Sequence, residues 1–243
     1  MTTETERNLQ SKYARIAGLS YVIFTISGLG MNFLLNTGLS GADAVQVNGI
    51  FQNEMHFRLA LVLETIMFLA VVTASVSFYI VLRPVNRELM ITALCLRLVE
   101  IVTGGMAVVL GIAMLALSNR TFFADMFPVE QLASIIAVAS GFRTPAYEYS
   151  WIFMGFAGII TFYLFYKSRY IPRAWSIWGM ITYSSLILFP IAKIVYADLP
   201  PQAVLVLFPG ALFELGVGTW LMTLGIKFPA DGEAAAGEAA TVD

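Results

Sequence analysis

The chain has little charge, one cysteine and one histidine in 243 residues. Because Cys95 is alone, the chain cannot form an internal disulfide, a CxxC motif or a thiolate metal cluster, and we expect Cys95 to be a small apolar core residue. His56 alone cannot supply the several histidines that zinc and haem sites usually need. No GxSxG, HExxH or phosphate-binding glycine loop is present. We therefore expect no metal site and no cofactor, and these residues give little support for enzyme chemistry.

What the chain has in excess is apolar residues. They make up 58% of it, charged residues make up 12%, and the mean hydropathy is +0.78. Soluble domains carry about 25% charged residues. A helix needs about 20 apolar residues to cross the ~30 Å hydrocarbon core, and only helices or closed barrels satisfy the backbone there. The composition predicts an all-α, polytopic membrane protein.

Six apolar runs are long enough to span the bilayer. The predicted spans are residues 14–35, 57–82, 89–117, 150–166, 174–196 and 203–226. Asn86 is predicted to cap the third span, and Pro172 to open the fifth. We expect residues 1–228 to form one six-helix transmembrane domain. Residues 229–243, which are rich in Ala, Gly and Glu, are expected to be a disordered cytoplasmic tail.

The Lys and Arg residues of the loops predict the orientation, because they concentrate on the cytoplasmic side. On one side lie Arg7, Lys12, Arg15, Arg83, Arg87, Lys167, Arg169, Arg173 and Lys227, and on the other Arg58, Arg120 and Arg143. Both termini are therefore predicted to be cytoplasmic, in the inner (plasma) membrane of a bacterium. These basic residues are loop charges, so we expect the lipid bilayer and no nucleic acid as a partner.

The segment between the third and fourth spans is too long for a simple connection. Pro128 is typical of a helix start and Gly141 of a helix stop. Between them, Leu132, Ile135 and Ile136 recur at helical spacing. We expect a short amphipathic helix in this outer loop, covering the end of the bundle or acting as a lid.

Five charged side chains lie inside the apolar spans: Glu64, Arg97, Glu100, Lys193 and Glu214. A charge in hydrocarbon costs a few kcal/mol, so such residues usually face the bundle interior. At 1.5 Å per residue, Glu100 and Glu214 each lie about 16 Å inside their spans, near the midplane. Arg97 and Glu100 share a helix face at i,i+3 and can form an ion pair.

The five charges comprise three acids and two bases. If Arg97 bridges Glu100 and Glu214, and Lys193 reaches Glu64, one carboxylate lacks a full partner. That carboxylate could be protonated, or it could bind a cation or a cationic substrate group. The alternative is a buried ion network that only fixes helix packing.

Several motifs resemble domain-of-unknown-function family 4386, a family of bacterial integral membrane proteins. The similar segments are RIAGL at 15–19, FR at 57–58, LRPVN at 82–86, LRLVE at 96–100, KSRYIPR at 167–173, and Glu214 followed by WL at 220–221. The resemblance extends from about Tyr13 to Lys227. It implies six helices and a bacterial membrane. Because the family has no established activity, the resemblance implies no catalytic residues.

Two functions remain open on these observations. In the first, the protein binds or transports a small solute or a proton through a pocket formed by Arg97, Glu100 and Glu214, with Glu64 and Lys193 towards the outer side. In the second, it is a membrane accessory or lipid-binding protein in which the same charges form a structural network. An intramembrane enzyme would have to rely on glutamates alone for acid–base catalysis.

Overall fold

The computed structural model describes residues 4–37, 54–118, 127–196 and 198–228. These residues contain no strand and form six α-helices and one 3₁₀ helix. They are α1 (Glu4–Thr37), α2 (Glu54–Leu82), α3 (Arg87–Ser118), α4 (Val129–Ser168), α5 (Arg173–Val195), the 3₁₀ helix (Pro201–Leu207) and α6 (Phe208–Thr223). The predicted tail at 229–243 lies outside the described residues.

Six helical segments in the described residues are long and apolar enough to cross a membrane, the sixth being α6 together with the preceding 3₁₀ helix. The chain is therefore an all-α, multi-pass membrane protein. Two predicted helix boundaries are confirmed. The Asn86 side chain accepts a hydrogen bond from the Leu89 backbone N–H at 2.8 Å, which caps α3. Pro172 immediately precedes the first residue of α5.

The predicted stop at Gly141 is wrong. α4 continues through Gly141 and Pro145 to Ser168, so residues 129–141 are the first part of the fourth helix rather than a separate short helix. The predicted apolar face is confirmed in part, since Leu132 and Ile136 are buried but Ile135 is exposed. Ile136 packs with apolar residues of α2 and α3, and this contact outweighs the helix-breaking tendency of one glycine, about 1 kcal/mol.

The helices form a ring in chain order, closed by the first and last. α1 packs extensively against α2 and α6, α3 packs against α2 and α4, and α4 packs against α5. We call the end where α1 begins and α6 ends the proximal end, and the opposite end the distal end. The main core is rich in aromatic side chains, including Tyr21, Phe78, Phe162, Tyr183 and Phe213.

Glycines set the closest helix contacts. A Cβ atom added at Gly18 of α1 would overlap the backbone of α6 near Gly218 and Met222. Likewise, a Cβ at Gly158 of α4 would overlap the Tyr183 ring, so this glycine makes room for a fully buried tyrosine. Such small residues are what allow membrane helices to approach closely. Cys95, expected in the core, is instead exposed on the outside of the bundle.

Gly18→Ala is expected to lower the melting temperature of the detergent-purified protein, because α1 and α6 must separate to admit the methyl group. Overpacking of this kind typically costs about 1–3 kcal/mol. Gly105→Ala is the matched control, since a Cβ at Gly105 meets no atom within 4 Å. There the melting temperature should stay level or rise, because alanine favours helix by about 1 kcal/mol over glycine. Equal effects of the two substitutions would contradict the assigned α1–α6 contact.

Candidate functional site

A cluster of buried polar side chains joins α1, α3, α5 and α6. At its α3 side, one guanidinium nitrogen of Arg97 donates to both carboxylate oxygens of Glu100, at 2.9 and 3.2 Å. The side chains of Arg97 and Glu100 are only 9% and 4% exposed. The predicted i,i+3 ion pair is therefore confirmed, and its two charges balance each other within one helix.

Two tyrosines continue the cluster from Arg97 to Glu214. The second terminal nitrogen of Arg97 lies 3.5 Å from the Tyr21 hydroxyl, which lies 2.8 Å from the Tyr183 hydroxyl. The Tyr183 hydroxyl in turn donates to Oε1 of Glu214 at 3.3 Å. A phenol has a single proton to donate, so Tyr21 must be the donor to Tyr183. The hydrogen bonds thus all point from Arg97 towards Glu214.

Glu214 itself is bound only by neutral donors among the described residues. Besides Tyr183, it accepts a hydrogen bond from the Thr25 hydroxyl at 3.2 Å, but the same hydroxyl lies closer, at 2.9 Å, to the Tyr21 carbonyl oxygen. No described Lys or Arg lies within ion-pair distance of Glu214, so the bridge from Arg97 considered in the sequence analysis is not formed. Hydrogen bonds from a hydroxyl to an ionised carboxylate are usually shorter, about 2.5–2.7 Å.

Glu100 and Glu214 line the same cavity, which has a volume of about 400 Å³. Its walls come from α1 to α6 and the 3₁₀ helix, and most of the lining is apolar or aromatic. The other polar lining residues include Thr25, Thr182 and Ser185. Ligand pockets in proteins commonly measure about 300–1,000 Å³ and combine an apolar wall with a few polar groups. We call this space the central cavity.

A second cavity of about 260 Å³ lies towards the distal end. It is lined by Glu64 and Arg143, which form an ion pair between α2 and α4. The other carboxylate oxygen of Glu64 is buried and has no hydrogen-bond partner in the described part of the chain. Asn32 and Tyr147 line both this distal cavity and the central one. The two spaces therefore adjoin at these two side chains.

The expected pairing of Lys193 with Glu64 is wrong. Lys193 binds both carboxylate oxygens of Glu148 at 2.6 and 2.7 Å, and it lines a groove on the outside of the bundle rather than either cavity. The partner of Glu64 is Arg143, which the sequence analysis placed in a loop because it took Gly141 as a helix stop. Lys193 is thus separated from the other predicted site residues.

Sequence reasoning also missed the hydroxyl groups of the site. Tyr21, Tyr183 and Thr25 lie in apolar spans, where hydropathy gives them no special weight. A usable signal exists for one of them, since Gly158 on α4 leaves space for the Tyr183 ring. As for metals, the described residues contain no group of three His, Cys, Asp or Glu side chains able to hold an ion.

The two central carboxylates should differ in their contribution to stability. Glu100→Gln leaves the Arg97 charge buried without a partner, which typically costs about 3–5 kcal/mol. Glu214→Gln retains an oxygen that can accept from Thr25 and Tyr183, so we expect a change within about 1 kcal/mol.

The measurement is the melting temperature of each detergent-purified variant. Glu54→Gln is the control, because its ion pair with Arg58 is exposed and such pairs contribute little. Large and equal losses for Glu100→Gln and Glu214→Gln would show that Glu214 depends on Arg97 as strongly as Glu100 does.

Comparison with known proteins gives one family. The family model described as a domain of unknown function (DUF4386) matches residues 16–225, and this range contains both cavities and the polar cluster that joins them. No curated protein and no solved structure matches the chain. Since the match covers well over half of the sequence, the chain belongs to the DUF4386 family.

Proposed function

We propose that this protein binds a small solute, or a proton, in the central cavity and passes it along a route through the membrane. The observation that carries the proposal is the placement of the two cavities. The central cavity contains Glu100 and Glu214, the distal cavity contains Glu64 and Arg143, and the two adjoin at Asn32 and Tyr147. Together the two cavities would provide a route, with carboxylates along it, from the distal end to the middle of the bundle.

Tyr147 lies where the two cavities adjoin, so we expect its side chain to control passage between them. Its hydroxyl makes only a weak contact, at 3.6 Å, with the Met67 sulfur, and its ring packs edge-on against Trp151 with 5.4 Å between the ring centroids. The same side chain borders both cavities. Movement of this single ring would widen the connection between the distal ion pair and the central carboxylates.

The second candidate is a membrane accessory or lipid-binding protein with a structural ion network. The observation in its favour is the balanced Arg97–Glu100 pair, which needs no ligand to neutralise it. This candidate predicts a dry central cavity, whereas a binding or transport function predicts that water reaches it. Accessibility to water therefore separates the two.

Ala211→Cys in a Cys95→Ser background should react with a water-soluble maleimide. Ala211 lines the central cavity one helical turn before Glu214, and thiols react as thiolates, which form only in water. Ala113→Cys on α3 is the matched control. Ala113 is exposed on the outside of the bundle and lines neither cavity, so the lipid should protect its thiol.

Labelling is measured by mass shift in intact membrane vesicles, with full modification in denaturant as the reference. Ala211→Cys labelling that is no faster than Ala113→Cys labelling, from either side of the vesicle, would contradict a water-filled route and favour the structural candidate.

We also propose that the protein lies in a bacterial plasma membrane with both termini in the cytoplasm. The support is charge, because the loops and helix ends at the proximal end hold most of the Lys and Arg residues. A reporter enzyme active only in the cytoplasm should therefore be active when fused to either end of the chain. If fusions to a reporter enzyme that is active only in the periplasm were active instead, both termini would lie in the periplasm and the proposed orientation would be wrong.

A further inference from the structure

One carboxyl group of the central cavity, that of Glu214, has no ion-pair partner among the described residues. The described residues that line it include two carboxylates, Glu100 and Glu214, and no Lys, Arg or His. Arg97 lies outside this lining and is paired with Glu100. Glu100 is thus paired with a cation behind the cavity wall, while Glu214 lines the cavity and has no Lys, Arg or His within ion-pair distance among the described residues.

The donors around Glu214 leave room for a further hydrogen bond. Its contacts with Thr25 and Tyr183 are long, at 3.2 and 3.3 Å, and the Thr25 proton has a nearer acceptor in the Tyr21 carbonyl oxygen. A cationic N–H donor placed in the cavity would supply the short, charge-assisted bond that this carboxylate lacks.

Thr182 provides an independent second acceptor. It lines the same cavity, its residue is 5% exposed, and its buried hydroxyl has no hydrogen-bond partner in the described part of the chain. It packs close to Gly210 on α6, one helical turn before Glu214. Buried polar groups are nearly always satisfied, so an unpartnered hydroxyl in the same cavity wall as a carboxylate with only long hydrogen bonds indicates a ligand that bonds to both.

The remaining walls suit an apolar body. Phe24, Phe68, Tyr147 and Trp151 line the cavity, together with methionine and leucine side chains. Aromatic faces attract cations as well as apolar groups. These four side chains therefore favour a ligand that is both cationic and largely apolar.

We propose that the central cavity binds a small primary or secondary ammonium ion with an apolar, preferably aromatic, substituent. This inference rests on the proposed function and specifies its substrate class. The ammonium group donates to Glu214 and to the Thr182 hydroxyl, and the substituent packs against the aromatic walls. The volume of about 400 Å³ limits the ligand to a small molecule.

The test compares three probes of nearly equal shape on the detergent-purified protein at pH 7. They are 2-phenylethylammonium, neutral 2-phenylethanol and anionic phenylacetate, with binding measured by calorimetry and by Trp151 fluorescence against a Trp151→Phe reference. We expect the ammonium ion to bind at least about tenfold more tightly than the other two. Glu214→Gln should abolish that preference, and Thr182→Val should weaken ammonium binding without a change in melting temperature.

Glu148→Gln is the matched control, because Glu148 is a carboxylate outside the central cavity, paired with Lys193. It should keep the wild-type preference. Equal binding of the three probes, tighter binding of phenylacetate, no binding of any probe, or an unchanged preference in Glu214→Gln would overturn the inference. If Glu214→Gln does not fold, the inference is tested by Thr182→Val alone, and unchanged ammonium binding in that variant would overturn it.

The labelling of Ala211→Cys distinguishes the two levels of the proposal. Rapid labelling of Ala211→Cys together with no preference for the ammonium ion would contradict the proposed substrate class but support the proposed water-filled route. No labelling of Ala211→Cys together with no binding of the ammonium ion would contradict both the route and the substrate class.

Discussion

A carboxylate buried between apolar helices must obtain hydrogen-bond donors from neighbouring side chains, and two of the three buried glutamates among the described residues obtain them from other helices. Glu100 takes its donor from Arg97 on its own helix, whereas Glu214 takes its donors from Thr25 on α1 and Tyr183 on α5. Glu64 on α2 takes its donor from Arg143 on α4. Every α-helix in the described residues thus contributes to one of two polar clusters. Apolar packing supplies the contact area, and the carboxylates select which helices meet and in which register.

The same requirement explains why cavities persist in a bundle with an aromatic core. Tyr21 and Tyr183 must hold their hydroxyl groups at a fixed place between Arg97 and Glu214, and their rings are locked there by close contacts with Phe78, Phe162 and Phe213. Side chains that are held for hydrogen bonding cannot also move to fill space. The central cavity is lined by the two carboxylates rather than by the two tyrosines, so a stable hydrogen-bond network is compatible with an open pocket on its other side.

Local features of this structure could be predicted from the sequence, and contacts between distant segments could not. The six spans depend on runs of apolar residues, the Asn86 cap on three neighbouring residues, and the Arg97–Glu100 pair on i,i+3 spacing. The partners of Glu64 and Lys193 depend on how separate helices rotate against each other, about which hydropathy carries no information. One local error had a wider effect. Because the helix was predicted to end at Gly141, Arg143 was placed in a loop rather than in the bundle interior.

The ring order of the helices has a consequence for biosynthesis. α1 enters the membrane first, yet one of its two main neighbours is α6, the last helix to be synthesised. Until α6 arrives, Gly18 has no backbone to pack against and Thr25 has no carboxylate to bind. Until then, the first five helices form an open arc in which these polar groups are exposed to lipid. Synthesis and insertion of α6 therefore set the earliest moment at which these six helices can close into a ring.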